Sequence, residues 1–425
     1  MRNAGNKSHS RIAHLSAWIY VAFVIFVGIS AIIQGLSNYY VDLAISSGSI
    51  ADADIAISFQ PGNPNAYTAR GLIFLQDREF VRAAEDLETA VSLRDRDFQL
   101  WLLMGYARSA MGDLSAARES YQQATLLAPR YSQPNYELGM LHLNESQLEI
   151  AFEYLRRSAE IDPERYPELL RLAWNTFPNN AEAIENAVQP KSKDAKKLTA
   201  RFLIEQGLMT ENLRSFLMSD ELTEAERNEF IGLLINKGDF GPARQIWLKG
   251  RDINGHPQDS PIFDGGFEMI NRSDPGGFGW QIDQKVPALS VSLDEKETRS
   301  GARALIMKFN GNVDVERELV SQLIVLEPDQ KYELRFFARS SEFISASVPV
   351  IMVKDRVTKE VLARSAPLAG TRGQWLEYRT PFMTKNSSAV TIALIRPGCN
   401  INPCPVFGDL SLDDFSVLRA GTQLK

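Results

Sequence analysis

Hydrophobic and polar positions change rhythm twice along this chain. Residues Leu15 to Leu36 read LSAWIYVAFVIFVGISAIIQGL, with no Lys, Arg, Asp or Glu. About 20 apolar residues suffice to cross a bilayer, so this run predicts a spanning helix. From there to about residue 250 the apolar positions recur at helical spacing. A longer period overlies them: Gly71, Gly105 and Gly139 stand 34 residues apart in one frame. Ala83, Ala117 and Ala151 follow at +12, and Leu87, Tyr121 and Leu155 at +16. Ala90, Ala124 and Ser158 follow at +19, and Asp95, Pro129 and Pro163 at +24. From residue 262 to 418 the period drops to two. Segments such as KYELRFFARS, SVPVIMV and AVTIALIRP, separated by Asn310-Gly311, Pro328-Asp329, Gly370–Gly373 and Pro397-Gly398, predict strands and turns.

Small residues at a fixed offset let two antiparallel helices approach closely, and a proline ends the second helix before the next begins. A 34-residue period of this kind resembles tetratricopeptide repeats. That resemblance implies an all-α solenoid that docks a partner protein. The frame extends backwards to Ala56 and Pro61, so an initial repeat begins in the segment that leaves the apolar run. It weakens downstream, where Arg171–Asn180, Ala181–Val188, Leu198–Gly207, Glu211–Met218, Phe230–Asn236 and Pro242–Lys249 predict further short helices.

Charge then orients the apolar run. Arg2, Lys7 and Arg11 precede it and Asp42 is the first charge after it. The positive-inside rule places the N-terminus in the cytoplasm and the bulk of the chain outside it. The run exceeds the usual 7–15-residue core of a cleaved signal, which favours an anchor, with cleavage the alternative. The net charge of −7 argues against a nucleic-acid partner. Lys191–Lys197 is short and interrupted by Asp194. The two cysteines, Cys399 and Cys404, flank a turn-rich loop that can close as a disulfide in an oxidising compartment; free thiols are the other reading. The four histidines are scattered, with no zinc spacing.

The β region carries IFDGGFE (Ile262–Glu268), FGW (Phe278–Trp280), SGARAL (Ser300–Leu305), QLIVLEPDQKYELRFFARS (Gln322–Ser340), Trp375 and LSLDDFSVL (Leu410–Leu418). In that order they resemble bacterial carbohydrate-binding modules of the galactose-binding-like jelly-roll type. The resemblance implies a β-sandwich, glycan contact by stacked aromatic rings, and a structural calcium where the first and last strands meet. The acidic residues there are Glu268, Asp413 and Asp414; a turn with solvated carboxylates is the plainer reading. Alternation puts Tyr332, Leu334, Phe336 and Ala338 on the core face, with Glu333, Arg335, Phe337 and Arg339 opposite. Trp375 shares a face with Glu377 and Arg379. The candidate glycan patch is therefore Arg335, Phe337, Arg339, Trp375 and Arg379. Rings packed beneath loops are the competing reading for Phe337 and Trp375, and Trp280 is expected in the core.

The expected organisation is multidomain. It has a tail (1–14), a transmembrane helix (15–36), a solenoid of tetratricopeptide type (37–250, clearest over 65–163), a linker (251–261), a jelly-roll sandwich (262–418) and a tail (419–425). No nucleophile elbow, phosphate loop, HExxH or dinucleotide fingerprint is present, so a non-enzyme is expected. The arrangement resembles repeat proteins of bacterial exopolysaccharide and cell-envelope systems. That implies a membrane-anchored scaffold with a protein partner and a glycan. A protein-only adaptor with a structural sandwich is the alternative, and a glycan-processing enzyme trails both. No cofactor is required; the composition permits the structural calcium without requiring it.

Overall fold

The computed structural model describes residues 5–249, 260–269, 277–401 and 403–420. The expected linker up to residue 259, and the end of the C-terminal tail, lie outside them. The chain divides into two compact units, Met1–Lys191 and Ser192–Lys425.

The first unit is a run of helices: α1 (Gly5–Ser47), α2 (Ile50–Phe59), α3 (Pro64–Gln76), α4 (Phe80–Leu93), α5 (Phe98–Ala110), α6 (Leu114–Leu127), α7 (Ser132–Asn144), α8 (Leu148–Ile161), α9 (Tyr166–Thr176) and α10 (Ala181–Val188). Side-chain oxygens start several of them. Ser49 accepts from the Asp52 amide, Asn63 from Asn65, Asp97 from Gln99 and Asp113 from Ala116. Each bond satisfies an N–H that has no partner within its helix. Pro64, directly after its cap, has no N–H to satisfy.

The frame glycines lie where the paired helices touch. A Cβ on Gly105 would sit 2.5 Å from the Tyr121 ring, and one on Gly139 would sit 2.6 Å from Leu155 Cγ. At Gly71 the distance to Leu87 Cγ is 3.1 Å. Ala83, Ala117 and Ala151 are fully buried on the facing helices. Small residues thus set the helix separation, while Leu87, Tyr121 and Leu155 fill the seam.

Helix α1 is continuous from the apolar run into the first repeat. Its residues 18–36 are exposed. Val41 and Ala44 are buried with Ala53 and Ala56 of α2. Ser37 Oγ donates to the Ala56 carbonyl at 2.9 Å, and Asn63 Nδ2 donates to Ser37 Oγ at 2.9 Å. The solenoid grows out of the apolar helix, as the backward extension of the frame anticipates.

The second unit opens with α11 (Lys193–Glu205), α12 (Glu211–Leu217), α13 (Glu224–Lys237) and α14 (Phe240–Lys249). These helices are grouped with the strands. Trp247 of α14 is buried, its ring 4.8 Å from Phe263 and 5.8 Å from Phe278. The strands are β1 (Gln281–Ile282), β2 (Leu289–Asp294), β3 (Ala304–Asn312), β4 (Val320–Val325), β5 (Lys331–Ser345), β6 (Val350–Asp355), β7 (Val361–Arg364), β8 (Leu376–Met383), β9 (Ala389–Ile395) and β10 (Pro405–Arg419). They form two antiparallel sheets, ordered β1-β4-β9-β6-β7 and β2-β3-β10-β5-β8.

The core lies between the sheets. Phe336 stacks on Tyr378 at 5.3 Å and on Phe415 at 4.9 Å. Phe415 meets Trp280 at 5.0 Å, and Trp280 Nε1 donates to the Asp264 carbonyl at 2.8 Å. Trp280 is therefore a core residue with its polar edge satisfied. One expected turn is a strand: Asn310-Gly311 lies inside β3, paired with Phe407 and Val406. Gly311, at φ 137°, keeps the ladder going where a Cβ would come within 3.3 Å of Ala288.

At the edge of this core Arg396 is completely buried without a carboxylate partner among the described residues. Its guanidinium donates to the carbonyls of Val313, Ser347 and Cys404, and to Ser345 Oγ. Burial lowers its pKa. Cys399 and Cys404 form a disulfide with Cα atoms 6.4 Å apart. One buried cation thus ties the disulfide loop to three parts of the sandwich.

Candidate binding surfaces

The first surface comes directly from the repeat frame. On α3, α5 and α7 the glycine faces its partner helix, so the next residue is turned about 100° away. Those residues, Leu72, Tyr106 and Met140, are partly or fully exposed, Tyr106 by 53%. One turn earlier stand Thr68, Leu102 and Tyr136, and ahead of them Asn65, Gln99 and Gln133. Three equivalent rows therefore repeat down one flank, apolar in the middle and amide-bearing at the edge. The cations carried by these helices are engaged. Arg70 donates to Asp86 at 2.7 and 2.8 Å, and Arg108 lies 3.7 Å from Glu88. Next to α7, the Arg165 guanidinium stacks 4.9 Å from the Tyr136 ring and donates to Gln133. Tyr136 donates to Glu168 at 2.9 Å, and burial together with that bond pushes its pKa up to about 12. Burial also raises the pKa of Glu137.

The second surface is the outer face of the β2-β3-β10-β5-β8 sheet. Leu334, Phe336 and Ala338 of β5 are fully buried inward, which leaves Lys331, Glu333, Arg335, Phe337 and Arg339 outward. Register places Arg335 opposite Arg379 and Phe337 opposite Glu377 on β8. Trp375, one residue before β8, lies with its ring 5.8 Å from the Arg339 guanidinium. All five candidate glycan residues are thus brought to one face. Their polar groups are engaged: Arg335 with Glu333, Arg339 with Glu297, and Arg379 with Glu377 at 2.8 Å. Farther along the face is a depression of about 480 Å³ lined by Lys331, Glu333, Arg335, Pro381, Met383 and Leu418.

Arg299 joins this surface although alternation within a strand does not reveal it. It belongs to the loop between β2 and β3, and its guanidinium lies 4.4 Å from the Phe337 ring centre. Carboxylates hold that loop down. The Arg299 and Ser300 amides donate to Asp413 Oδ2 at 2.9 and 3.3 Å. Ser300 Oγ donates to Asp414 at 2.6 Å, and the Ala302 and Arg303 amides donate to Glu268 Oε1 at 2.8 and 3.1 Å. Glu268, Asp413 and Asp414 do converge, and they do so around the 299–303 backbone. Among the described residues no group of three or more His, Cys, Asp or Glu side chains is arranged to hold a metal ion.

Comparison with known proteins bears on the first surface. A family model described as tetratricopeptide repeat matches residues 102–166. The cell division cycle protein 27 homolog of Caenorhabditis elegans is 30% identical over 100 residues, 24% of this chain and 13% of that protein. Human tetratricopeptide repeat protein 6 is 28% identical over 124 residues, 29% of this chain and 24% of that protein. The chain therefore spans a quarter or less of the length of these relatives. Among solved structures, a crystal structure of MamA protein aligns with 16% identity over 43% of this chain and 97% of its own, at a TM-score of 0.34. Pseudomonas aeruginosa pilF aligns with 14% identity over 52% of this chain and 99% of its own, at 0.33. Residues 102–166 thus match the tetratricopeptide-repeat model, in a chain that also carries an apolar N-terminal helix and a C-terminal β-sandwich.

Proposed function

We propose that this chain is a non-catalytic scaffold anchored in a bacterial inner membrane, with its repeats and sandwich in the periplasm, serving polysaccharide or cell-envelope assembly. The observation that carries the reading is the unbroken α1, which makes an exposed apolar span and the first repeat one rigid element. Trp18 and Tyr39 are exposed near the two ends of that span. The 21 residues separating them correspond to roughly 31 Å of helix, about the thickness of a bilayer's hydrocarbon core. Aromatic residues favour both membrane interfaces. The disulfide suits an oxidising compartment.

On this reading the Leu72–Tyr106–Met140 flank docks a protein and the outer sheet face contacts a glycan. A photo-crosslinking residue at Tyr106 of the native membrane protein should capture a partner, and one at exposed Glu119 should not; equal capture at both sites would move the docking surface elsewhere. Phe337→Ala and Trp375→Ala should abolish polysaccharide retention by the full chain while leaving its melting temperature unchanged.

A protein-only adaptor is the second reading. It is favoured by the face's own internal pairing, since both rings are already covered by guanidinium groups. Failure of the wild-type protein to bind any polysaccharide would establish it.

A further inference from the structure

We propose that Arg299, stacked on Phe337 and held from beneath by Asp413, is an anion-reading arm that selects carboxylate-bearing polysaccharide on the outer sheet face. The inference rests on the glycan reading of that face and names its ligand class.

Five arginines reach this surface, and four of them are neutralised: Arg335 by Glu333, Arg339 by Glu297, Arg379 by Glu377 and, at the depression, Arg419 by Glu327. Arg299 is exposed and forms no direct ion pair among the described residues, although its charge reaches Glu377, which stands opposite Phe337 and is itself bonded to Arg379. Its placement is fixed from both sides. Register pairs Asp413 directly with Phe337, and the carboxylate of Asp413 accepts the backbone amides of Arg299 and Ser300. The same position in the ladder therefore supplies the ring and the anchor of the loop that lays a guanidinium over it. A guanidinium stacked on an aromatic ring keeps its N–H groups in its own plane, directed sideways rather than into the ring. That sideways edge matches the two oxygens of a carboxylate.

A second unpaired cation lies along the same face. Lys331 is exposed, lines the depression and forms no ion pair among the described residues. Six strand steps separate it from Phe337, roughly 20 Å. Glu333, paired with Arg335, stands between the two cations, and Glu377, paired with Arg379, stands directly opposite Phe337. A densely charged polymer such as nucleic acid would find few unpaired cations here, since the remaining arginines of the face are neutralised in ion pairs. A chain of sugar rings with widely spaced carboxylates meets cations at its charges, and apolar Pro381, Met383 and Leu418 beneath its rings.

The test uses the full chain in detergent micelles and affinity electrophoresis in three gels, containing polygalacturonate, its fully methyl-esterified form, or heparin. Polygalacturonate should retard the protein at about tenfold lower concentration than the ester, as expected for one charge-assisted bidentate contact. Arg299→Ala and Arg299→Gln should each remove that preference, with melting unchanged because the loop is held by its backbone. Lys331→Ala should weaken retention by a smaller factor. Equal retention by the ester would overturn the anion assignment and leave the glycan reading standing. A preference for heparin would replace carboxylate recognition with general polyanion binding. A polygalacturonate preference that survives both Arg299 variants would remove Arg299 from the site. Absence of retention in every gel would end this inference and the glycan reading together.

Discussion

The two units solve the same problem, holding helices or strands in register, with contacts of very different reach. In the repeats the decisive contacts recur at short fixed offsets: Arg70 reaches Asp86 across 16 residues, and each frame glycine meets the residue 16 further on. In the sandwich the Asp413 carboxylate reaches the Arg299 amide across 114 residues, and Arg396 reaches Val313 across 83. Short fixed offsets imprint a period on the sequence. Long single contacts leave none. The comparison predicts that the sandwich concentrates stability in a few polar pins, while the solenoid distributes it over repeated apolar seams.

The hardest test of that difference is Arg396→Met. The substitution fills the volume but leaves the carbonyls of Val313 and Cys404 without a donor, while Ser347 keeps the Ser345 hydroxyl. Buried acceptors without partners cost about 1–3 kcal/mol each, so a loss of roughly 3 kcal/mol or more is expected in denaturant titrations. A loss below about 1 kcal/mol would mean that the sandwich does not depend on this pin.

Within the solenoid, two alanine substitutions sharpen the comparison. Gly105→Ala puts a methyl 2.5 Å from the Tyr121 ring and should cost about 1–3 kcal/mol through overpacking. Gly71→Ala meets Leu87 at 3.1 Å, where a flexible side chain can yield. The helix-propensity gain of about 1 kcal/mol should leave that variant near neutral. Equal effects at the two positions would argue that the seams are looser than their spacing indicates.

The same contrast explains what was legible in the sequence. The glycine and alanine frame, the disulfide pair and the inward set Tyr332, Leu334 and Phe336 follow from periods of 34 and two or from simple proximity. The five candidate glycan residues also converge, because strand alternation alone decides which face they share. Arg299 escapes such reasoning: it lies on a loop, and Asp413, the residue that places it, is distant in sequence. Edge strands β2 and β7 were equally hard to foresee, since one is Ser-interleaved and the other has four residues. Asn310-Gly311 reads locally as a turn, yet its pairing with β10 keeps it extended.

Reducing the Cys399–Cys404 bond should have a smaller effect than Arg396→Met. Closing so short a loop constrains the unfolded chain by about 2 kcal/mol. Arg396 would still hold the Cys404 carbonyl at 2.9 Å, so the folded loop should keep its seat. The expected result is a modest fall in the denaturant midpoint upon reduction. A fall larger than that of Arg396→Met would reverse the order of the two pins.

The finest distinction concerns the charge state of Asp413. It is fully buried, and that burial, with Asp414 adding to it, pushes its pKa up to about 6 against the amide bonds that pull it down. The unfolded value is about 3.9. A raised folded value means that the native state binds the proton more tightly than the unfolded chain does. Its contribution to stability is therefore complete below about pH 4 and is lost as pH rises through 6. Asp413→Asn cannot ionise, so it shifts stability by an amount that does not change with pH at this position. Denaturant midpoints of the wild type and Asp413→Asn, measured from pH 4 to 7, should converge or cross as the wild type loses its advantage. A difference that stays constant, or grows in favour of the wild type, would mean that the amides of Arg299, Ser300 and Asp414, all donating to Asp413, keep it ionised throughout. The loop carrying Arg299 would then be held by a permanent charge rather than by a carboxyl that titrates near pH 6.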